Sequence, residues 1–352
     1  MITSGSRIVP FDYDNDGDLD LFVGGRLVPQ NYPSPANSYI LENRSTPENP
    51  KFVDITDKIA PSLERIGMVS DARWADYDKD GLVDLIIVGE WMPITVLRNT
   101  GETFENVTEK LGLDKSTGWW FSIEEGDFDQ DGDMDFIVGN LGLNYKYKAT
   151  ETETFDIYFN DFDKNKKNDI VLSYYNEGEK FPLRGRECTS QQMPGIKDKF
   201  KDYTSFSQAT FEDVYSKESI QESLHYQVTS FESVYMENEG GSFRMHALPK
   251  LAQFSSINKI LIDDFDKDNH LDLVIAGNLY SSEVETPRND AGNGLFLKGD
   301  SAGNFIPVES HKSGLHIPGD VKDLGRIKIQ DESYILAAKN ADYIQFVKIL
   351  SP

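Results

Sequence analysis

Three observations in the sequence predict an all-β fold built from serial repeats. A nine-residue acidic loop recurs along the chain, a short apolar run follows each copy, and two further strand-like segments close the best-kept units. The first copy is Asp12-Tyr13-Asp14-Asn15-Asp16-Gly17-Asp18-Leu19-Asp20, followed by Leu21-Phe22-Val23-Gly24. Loops at 76–84, 127–135 and 264–272 repeat it, each leading into an apolar run that ends in Gly89, Gly139 or Gly277. A worn copy at 161–169 leads into Ile170-Val171-Leu172. Apolar runs of this length, bounded by turn residues, read as buried strands.

The repeated unit can be laid out from the first copy. Strands are predicted at residues 6–10, 19–24, 38–42 and 52–55, and the second copy repeats the last two at 95–98 and 104–107. Asn43 and Asn99 close the third strand in each, and the same ending recurs at Val234-Tyr235-Met236-Glu237-Asn238 with 243–248. Four short antiparallel strands per unit, repeated in series, are the blades of a β-propeller. Five loops give five blades. Residues 226–248 supply a sixth without a metal loop, and the runs at 321–329, 334–339 and 343–350 supply a seventh. The count falls to six if 226–248 is the outer half of the blade that begins at Asp161. A single domain over residues 1–352 is expected, with a helical insertion at 187–224 capping one face. That insertion carries apolar residues at helical spacing but is read as too short for a second core.

The loops carry the chemistry. Positions one, three, five and nine offer side-chain oxygens: Asp12, Asp14, Asp16 and Asp20; Asp76, Asp78, Asp80 and Asp84; Asp127, Asp129, Asp131 and Asp135; Asp161, Asp163, Asn165 and Asp169; Asp264, Asp266, Asp268 and Asp272. Position seven adds a backbone carbonyl at Asp18, Leu82, Asp133, Lys167 or His270. Position six is Gly in three copies and Asn in a fourth, residues that tolerate positive φ and let the loop fold back on one centre. A hard cation that takes about 6–8 oxygens is the natural occupant, so calcium is expected, three to five ions per chain. An EF-hand is excluded, because position twelve is Val23, Ile87, Val138 or Ile275 where that loop needs Glu. In the worn copy Lys166 takes the Gly position and Lys167 follows.

The formal net charge of -25 over 352 residues sits largely in these loops, so folding should depend on the ion. No basic stripe marks a nucleic-acid partner. The single Cys188 rules out an intramolecular disulfide. Weak repeated calcium loops suit millimolar extracellular calcium, so an extracytoplasmic location is expected: cell surface, outer-membrane-associated or secreted. No signal peptide is visible in residues 1–30, and no apolar run approaches a membrane span. The chain is expected to be part of a longer precursor with further domains.

The connection after each apolar run emerges at the end of the blade opposite its metal loop. The longest insertions fall there, at 26–37, 140–153 and 278–294, and varied loops on a rigid scaffold are where binding usually lives. Candidate ligand contacts are Arg26, Glu90, Trp91, Asn140, Asn144 and Asn278, with Arg184 and Arg186 able to clamp a carboxylate. Asn140 and Asn278 are equally the residue type of a tight turn. None of the five histidines shows metal-pair spacing, and no nucleophile elbow, phosphate loop or dinucleotide fingerprint occurs. Catalysis therefore stays open.

The acidic loop with its apolar run resembles the FG-GAP, or VCBS, repeat family, the calcium-loop propellers of integrin α-subunits and many bacterial surface proteins. Gly118-Trp119-Trp120, Gly139-Asn140-Leu141-Gly142-Leu143-Asn144 and Arg184-Gly185-Arg186-Glu187-Cys188 resemble large bacterial repeat proteins often joined to an ASPIC/UnbV module. The resemblance implies a calcium-stabilised propeller acting in adhesion or in binding a glycan or protein ligand. The alternatives are a polysaccharide lyase or hydrolase on the same scaffold, and a structural module of a larger surface protein.

Overall fold

The computed structural model describes residues 3–282 and 286–350. The chain forms two compact units: Met1–Asp114, Trp119–Lys146 and Phe231–Pro352 make the first, and Lys115–Gly118 with Tyr147–Ser230 make the second.

The first unit holds five antiparallel sheets among the described residues. The first sheet runs Ser4–Phe11, Asp20–Leu27, Tyr39–Asn43, Phe52–Asp54, and the second Met68–Ala75, Asp84–Met92, Thr95–Asn99, Phe104–Asn106. The third runs Ser122–Gly126, Asp135–Gly139, Val234–Asn238, Phe243–Ala247, and the fourth Ile257–Asp263, Asp272–Gly277, Leu295–Gly299, Phe305–Val308. A three-stranded fifth sheet runs Val321–Ile329, Glu332–Lys339, Gln345–Lys348. Residues 226–248 do not form one blade but divide between two sheets: Leu224–Val228 pairs with Phe155–Asn160 of the Asp161 sheet, and the remainder joins the third sheet. Val234–Asn238 pairs with Asp135–Gly139, with Phe136 opposite Met236 and Ile137 opposite Tyr235. The reason lies in the loop: Asp135 Oδ1 accepts the Asn238 N–H at 2.7 Å, as Asp20 accepts Asn43 and Asp84 accepts Asn99.

Alternation explains why the second strands are apolar on both sides. Successive side chains point to opposite faces of a strand, and in the second, third and fourth sheets each face meets a neighbouring sheet. Leu85 and Ile87 pack with Phe22 and Ile40, whereas Ile86 and Val88 pack with Phe136 and Val138. Ile137 faces Leu273 and Ile275, and Val274 and Ala276 face Ile335 and Ala337. Each fully buried aliphatic or aromatic side chain contributes about 1.5–3 kcal/mol. The glycines that end these strands permit close approach: a Cβ on Gly139 would stand 2.3 Å from the Ile257 carbonyl oxygen, and on Gly277 1.7 Å from that of Ser256.

Charges of alternating sign link the first strands of successive sheets. Asp71 Oδ1 takes Arg7 Nε at 2.9 Å and Arg73 Nη1 at 3.1 Å. Arg73 Nε donates to Glu124 Oε2 at 3.0 Å, Lys259 Nζ reaches Glu124 Oε1 at 2.5 Å, and Asp323 lies 4.0 Å further on.

The second unit has one sheet, ordered Glu179–Pro182, Asp169–Asn176, Phe155–Asn160, Leu224–Val228. Five short helices lie between its last two strands in sequence: Arg186–Gln192, Ile196–Lys199, Tyr203–Ser207, Phe211–Val214 and Lys217–Gln221. The helical character expected over 187–224 is present, but the segment does build a core. Met193, Ile196, Phe206, Phe211 and Val214 bury themselves against Tyr158 and Val171 of the sheet. Helices this short cannot bury a stripe alone; the sheet supplies the other half.

Candidate metal loops and the opposite strand ends

In each loop, backbone geometry turns the carboxylates inward. Position six is left-handed in all five copies, at Gly17, Gly81, Gly132, Lys166 and Asn269. Position four is left-handed as well, at Asn15 (φ 61°), Lys79 (56°), Gln130 (64°), Lys164 (61°) and Lys267 (59°), a feature sequence reasoning missed because none of these residues is Gly. Loop amides then donate to loop carboxylates: Asp16 N–H to Asp12 Oδ1 (3.1 Å), Gly17 N–H to Asp12 Oδ2 (3.0 Å), and Asp18 N–H to Asp16 Oδ1 (3.0 Å). Asp80, Gly81 and Leu82 repeat this pattern in the second loop, Asn165, Lys166 and Lys167 in the worn one, and Asp268, Asn269 and His270 in the last.

The position-nine aspartates, Asp20, Asp84, Asp135, Asp169 and Asp272, are buried. Each accepts the N–H of position two, from Tyr13, Tyr77, Phe128, Phe162 and Phe265. Burial pushes Asp84 up to about 7, and Asp135 and Asp169 to about 6, against the lowering effect of these amide bonds. Asp20 and Asp272 are raised for the same reason.

These sites fit a hard cation. Ligand atoms of Asp12, Asp14 and Asp20 lie within 4.8 Å of one another, as do those of the corresponding trios at 76, 78, 84, at 161, 163, 169 and at 264, 266, 272. In the third loop the trio is Asp127, Asp129 and Asp131, and Asp135 is also held by the Tyr235 hydroxyl at 2.9 Å. Asp18, Asp127, Asp133 and Asp266 each keep a buried carboxylate oxygen with no hydrogen-bond partner among the described residues. Such orphan acceptors are costly unless a cation satisfies them. A bound divalent ion would neutralise the converging charges. The worn loop assembles its trio as well, with Lys166 and Lys167 exposed.

At the opposite strand ends, some of the expected ligand residues come together. Arg26 Nη2 meets Glu90 Oε1 at 2.5 Å, the Tyr32 hydroxyl donates to Glu90 Oε2 at 3.4 Å, and the Trp91 indole donates to Tyr32 at 2.7 Å. Trp91 itself is buried, edge-on to Trp119 at 5.2 Å, and Trp120 lies in the core. Asn140 and Asn278 are buried in their own turns. Asn140 donates to the Glu232 carbonyl and accepts from Leu141, and Asn278 donates to the Gly292 and Gly319 carbonyls. Asn144 is exposed and lines a cavity of about 200 Å³ with Lys146, Arg288 and Asp290. Ala291 also lines a second cavity of about 330 Å³, whose wall includes Phe254, Ser255, Asn293 and Glu309. Of the 278–294 connection, residues 283–285 lie outside the described set. Arg184 and Arg186 belong to the second unit, where Arg186 donates to the Phe200 carbonyl at 2.7 Å and stands over the Tyr203 ring.

The second unit also holds a cluster that sequence spacing did not reveal. The buried Asp156 takes His225 Nε2 at 2.6 Å, Thr154 Oγ1 at 2.9 Å and Lys180 Nζ at 3.2 Å. Tyr158 stacks on His225 at 4.2 Å and receives Lys180 at 3.0 Å. Burial acts to raise Asp156, but His225 and Lys180 outweigh it and hold the carboxyl below its usual value.

These features define a protein of serial antiparallel sheets, four of the five in its first unit carrying an acidic cation-type loop between the first and second strands. Residues 12–87 and 76–138 match the FG-GAP-like repeat, and the chain carries this repeat there. Among solved structures, that of the V. cholerae biofilm matrix protein Bap1 is similar at 8% identity over 96% of this chain, with a TM-score of 0.32. The chain spans 66% of that protein's length, just under two thirds. No curated protein matches the sequence. No described helix is long and apolar enough to cross a membrane.

Proposed function

We propose that the protein is a calcium-stabilised, propeller-type binding or adhesion module working outside the cytoplasm. In this reading calcium holds one end of each loop-bearing sheet, and a glycan or protein ligand is captured at the other. The observation that carries it is the division of labour along the strands. Acidic loops of fixed length join first to second strands, whereas the connections of varied length beyond the second strands line two cavities that meet at Ala291. Arg26, Glu90 and Asn144 are the proposed ligand contacts, beside Trp91, with Asn140 and Asn278 framing their turns. Serial packing of the sheets through shared cores supports the propeller reading.

The test is a thermal melt with and without excess chelator, with calcium content measured on the same sample. Loss of three to five ions should accompany a sharp fall in Tm; saturating four sites to about a hundredfold over Kd contributes roughly 2.7 kcal/mol each. No shift and no bound calcium would reduce the loops to acidic turns. A glycan microarray on calcium-loaded protein then tests capture, with Asn144→Ala expected to weaken it at unchanged Tm. A glycan-active enzyme remains the second reading, favoured by the Asp156–His225–Lys180 cluster. Release of new reducing ends from a polysaccharide, abolished in His225→Gln, would establish it over simple binding.

A further inference from the structure

We propose that the four loops of the first unit fill with calcium in two affinity classes, set by the residue just before the clamp on position nine. The inference rests on the calcium reading of these loops and adds to it an order of occupancy.

The clamp is the N–H of Asn43, Asn99, Asn238 or Gly299, which donates to Asp20, Asp84, Asp135 or Asp272 at 2.7 to 2.9 Å. One residue earlier on the same strands stand Glu42, Arg98, Glu237 and Lys298. Two loops therefore carry a cation of their own. Arg98 Nε donates to Asp78 Oδ2 at 2.5 Å and Nη2 to Asp80 Oδ2 at 2.6 Å. Lys298 Nζ bonds to Asp266 and reaches Asp268 at 2.8 Å. In both cases the carboxylates are positions three and five of the loop, the groups a metal would need.

The other two loops have a carboxylate in the same place. Glu42 acts electrostatically on Asp14 and Asp18, and Glu237 on Asp129, in each case adding to the negative field. Basic side chains are near these loops too, but they bind elsewhere or stand off. Arg44 pairs with Glu42, and His246 Nε2 lies 2.7 Å from Glu237. Lys79 Nζ, half exposed, is 3.9 Å from Asp133, beyond hydrogen-bond reach, and as a solvent-screened charge acting on Asp131 and Asp133 it only partly offsets Glu237. Asp133 is 4% exposed and its Oδ1 is buried with no hydrogen-bond partner among the described residues.

Charge decides the order. A unit charge ~6 Å from a divalent ion, in a water-like dielectric, shifts affinity by about tenfold. Loops 12–20 and 127–135 form the tighter class, and loops 76–84 and 264–272 the weaker. The guanidinium and ammonium also compensate the weaker loops when calcium is low, so the metal-free chain keeps these two closer to their folded shape.

Isothermal titration of the chelator-stripped whole chain with calcium chloride tests this. Wild type should show two classes separated by at least tenfold. Arg98→Gln with Lys298→Gln should tighten the weaker class by about tenfold, and Glu42→Gln with Glu237→Gln should weaken the tighter one by a similar factor. Arg98→Lys keeps the charge and should bind as wild type does, which separates charge from loss of packing. Circular dichroism at saturating calcium checks that each variant is folded. Calcium binding with one affinity, unmoved by either pair of substitutions, would overturn the inference while leaving the calcium sites standing. Absence of any calcium heat in wild type would overturn the underlying reading and the inference with it.

Discussion

Asp71→Asn isolates the link between the first strands of the first three sheets. The Asp71 side chain is 4% exposed, and both oxygens are fully engaged as acceptors. Oδ1 takes Arg7, Arg73 and the Ala72 N–H, while Oδ2 takes the Ile123 N–H at 3.2 Å. Asparagine has the same shape but one acceptor. If its oxygen stays with the guanidinium groups, its amide nitrogen meets the Ile123 N–H, donor against donor. If it flips, the nitrogen meets two cations. Breaking a buried pair typically costs about 3–5 kcal/mol, which is discounted here because Arg7 is 32% exposed and Arg73 keeps Glu124. The expected loss is about 3 kcal/mol, or roughly 5–10 °C in Tm for a unit of this size. Arg7→Gln is the control and should cost about 1 kcal/mol or less, as surface pairs do. Urea unfolding of calcium-loaded protein measures both. Asp71→Asn within 0.5 kcal/mol of wild type, or Arg7→Gln equal to it, would refute the argument that this carboxylate is an indispensable buried acceptor.

Close strand approach and acid titration give two further tests. Gly277→Ala places a methyl 1.7 Å from the Ser256 carbonyl oxygen and should cost about 3 kcal/mol. Gly17→Ala, at φ 96° with nothing within 4 Å, should cost only about 1–2 kcal/mol through backbone strain; equal losses in chemical denaturation would contradict the contact argument. The lowered Asp156 carboxyl contributes stability that is present above its unfolded value and lost as pH falls through its folded one. Hydrogen exchange in Phe155–Asn160 should therefore accelerate below about pH 4, the range of an unfolded aspartate, and His225→Gln should move the onset upward. An unchanged onset would mean that His225 does not stabilise the charged carboxylate.

Much of the fold was legible because its signals are local. The acidic loops, the apolar runs and the closing asparagines lie within about forty residues of one another, and Val321–Ile329 was readable to the residue. The third sheet was misread for a physical reason. Its second and third strands are separated by Tyr147–Ser230, the larger segment of the second unit, so the ending at Asn238 reads as a repeat but does not join to the loop at 127–135. The chain of Arg7, Asp71, Arg73, Glu124 and Lys259 leaves no pattern, since its partners stand up to 135 positions apart. Glu42, Arg98, Glu237 and Lys298, by contrast, were in plain view once the third strands were aligned on their clamps.

The insertion of the second unit follows from which connection is free to grow. The first connection of each repeat is fixed by the loop that turns its carboxylates inward. The second, beyond the apolar run, carries no such loop and varies in length, from two residues between Asp84–Met92 and Thr95–Asn99 upward. In the third sheet its neck is closed by the Asn140 N–H donating to Ser233 Oγ at 2.9 Å and by Gly142 N–H donating to the Phe231 carbonyl at 2.9 Å. An entire sheet with its own acidic loop can then be carried there without disturbing the register of Phe136 opposite Met236. The same geometry bears on how calcium would act on ligand capture. A strand of six residues such as Asp272–Gly277 separates its two ends by ~20 Å, more than two screening lengths at physiological salt. The charge of an ion in the loop is therefore hardly felt at the far end, and it can influence ligand only by holding the sheets together. Ligand affinity should accordingly follow the folded fraction during a calcium titration and stay flat once folding is complete. A further rise in affinity beyond that point would place calcium in direct contact with the ligand.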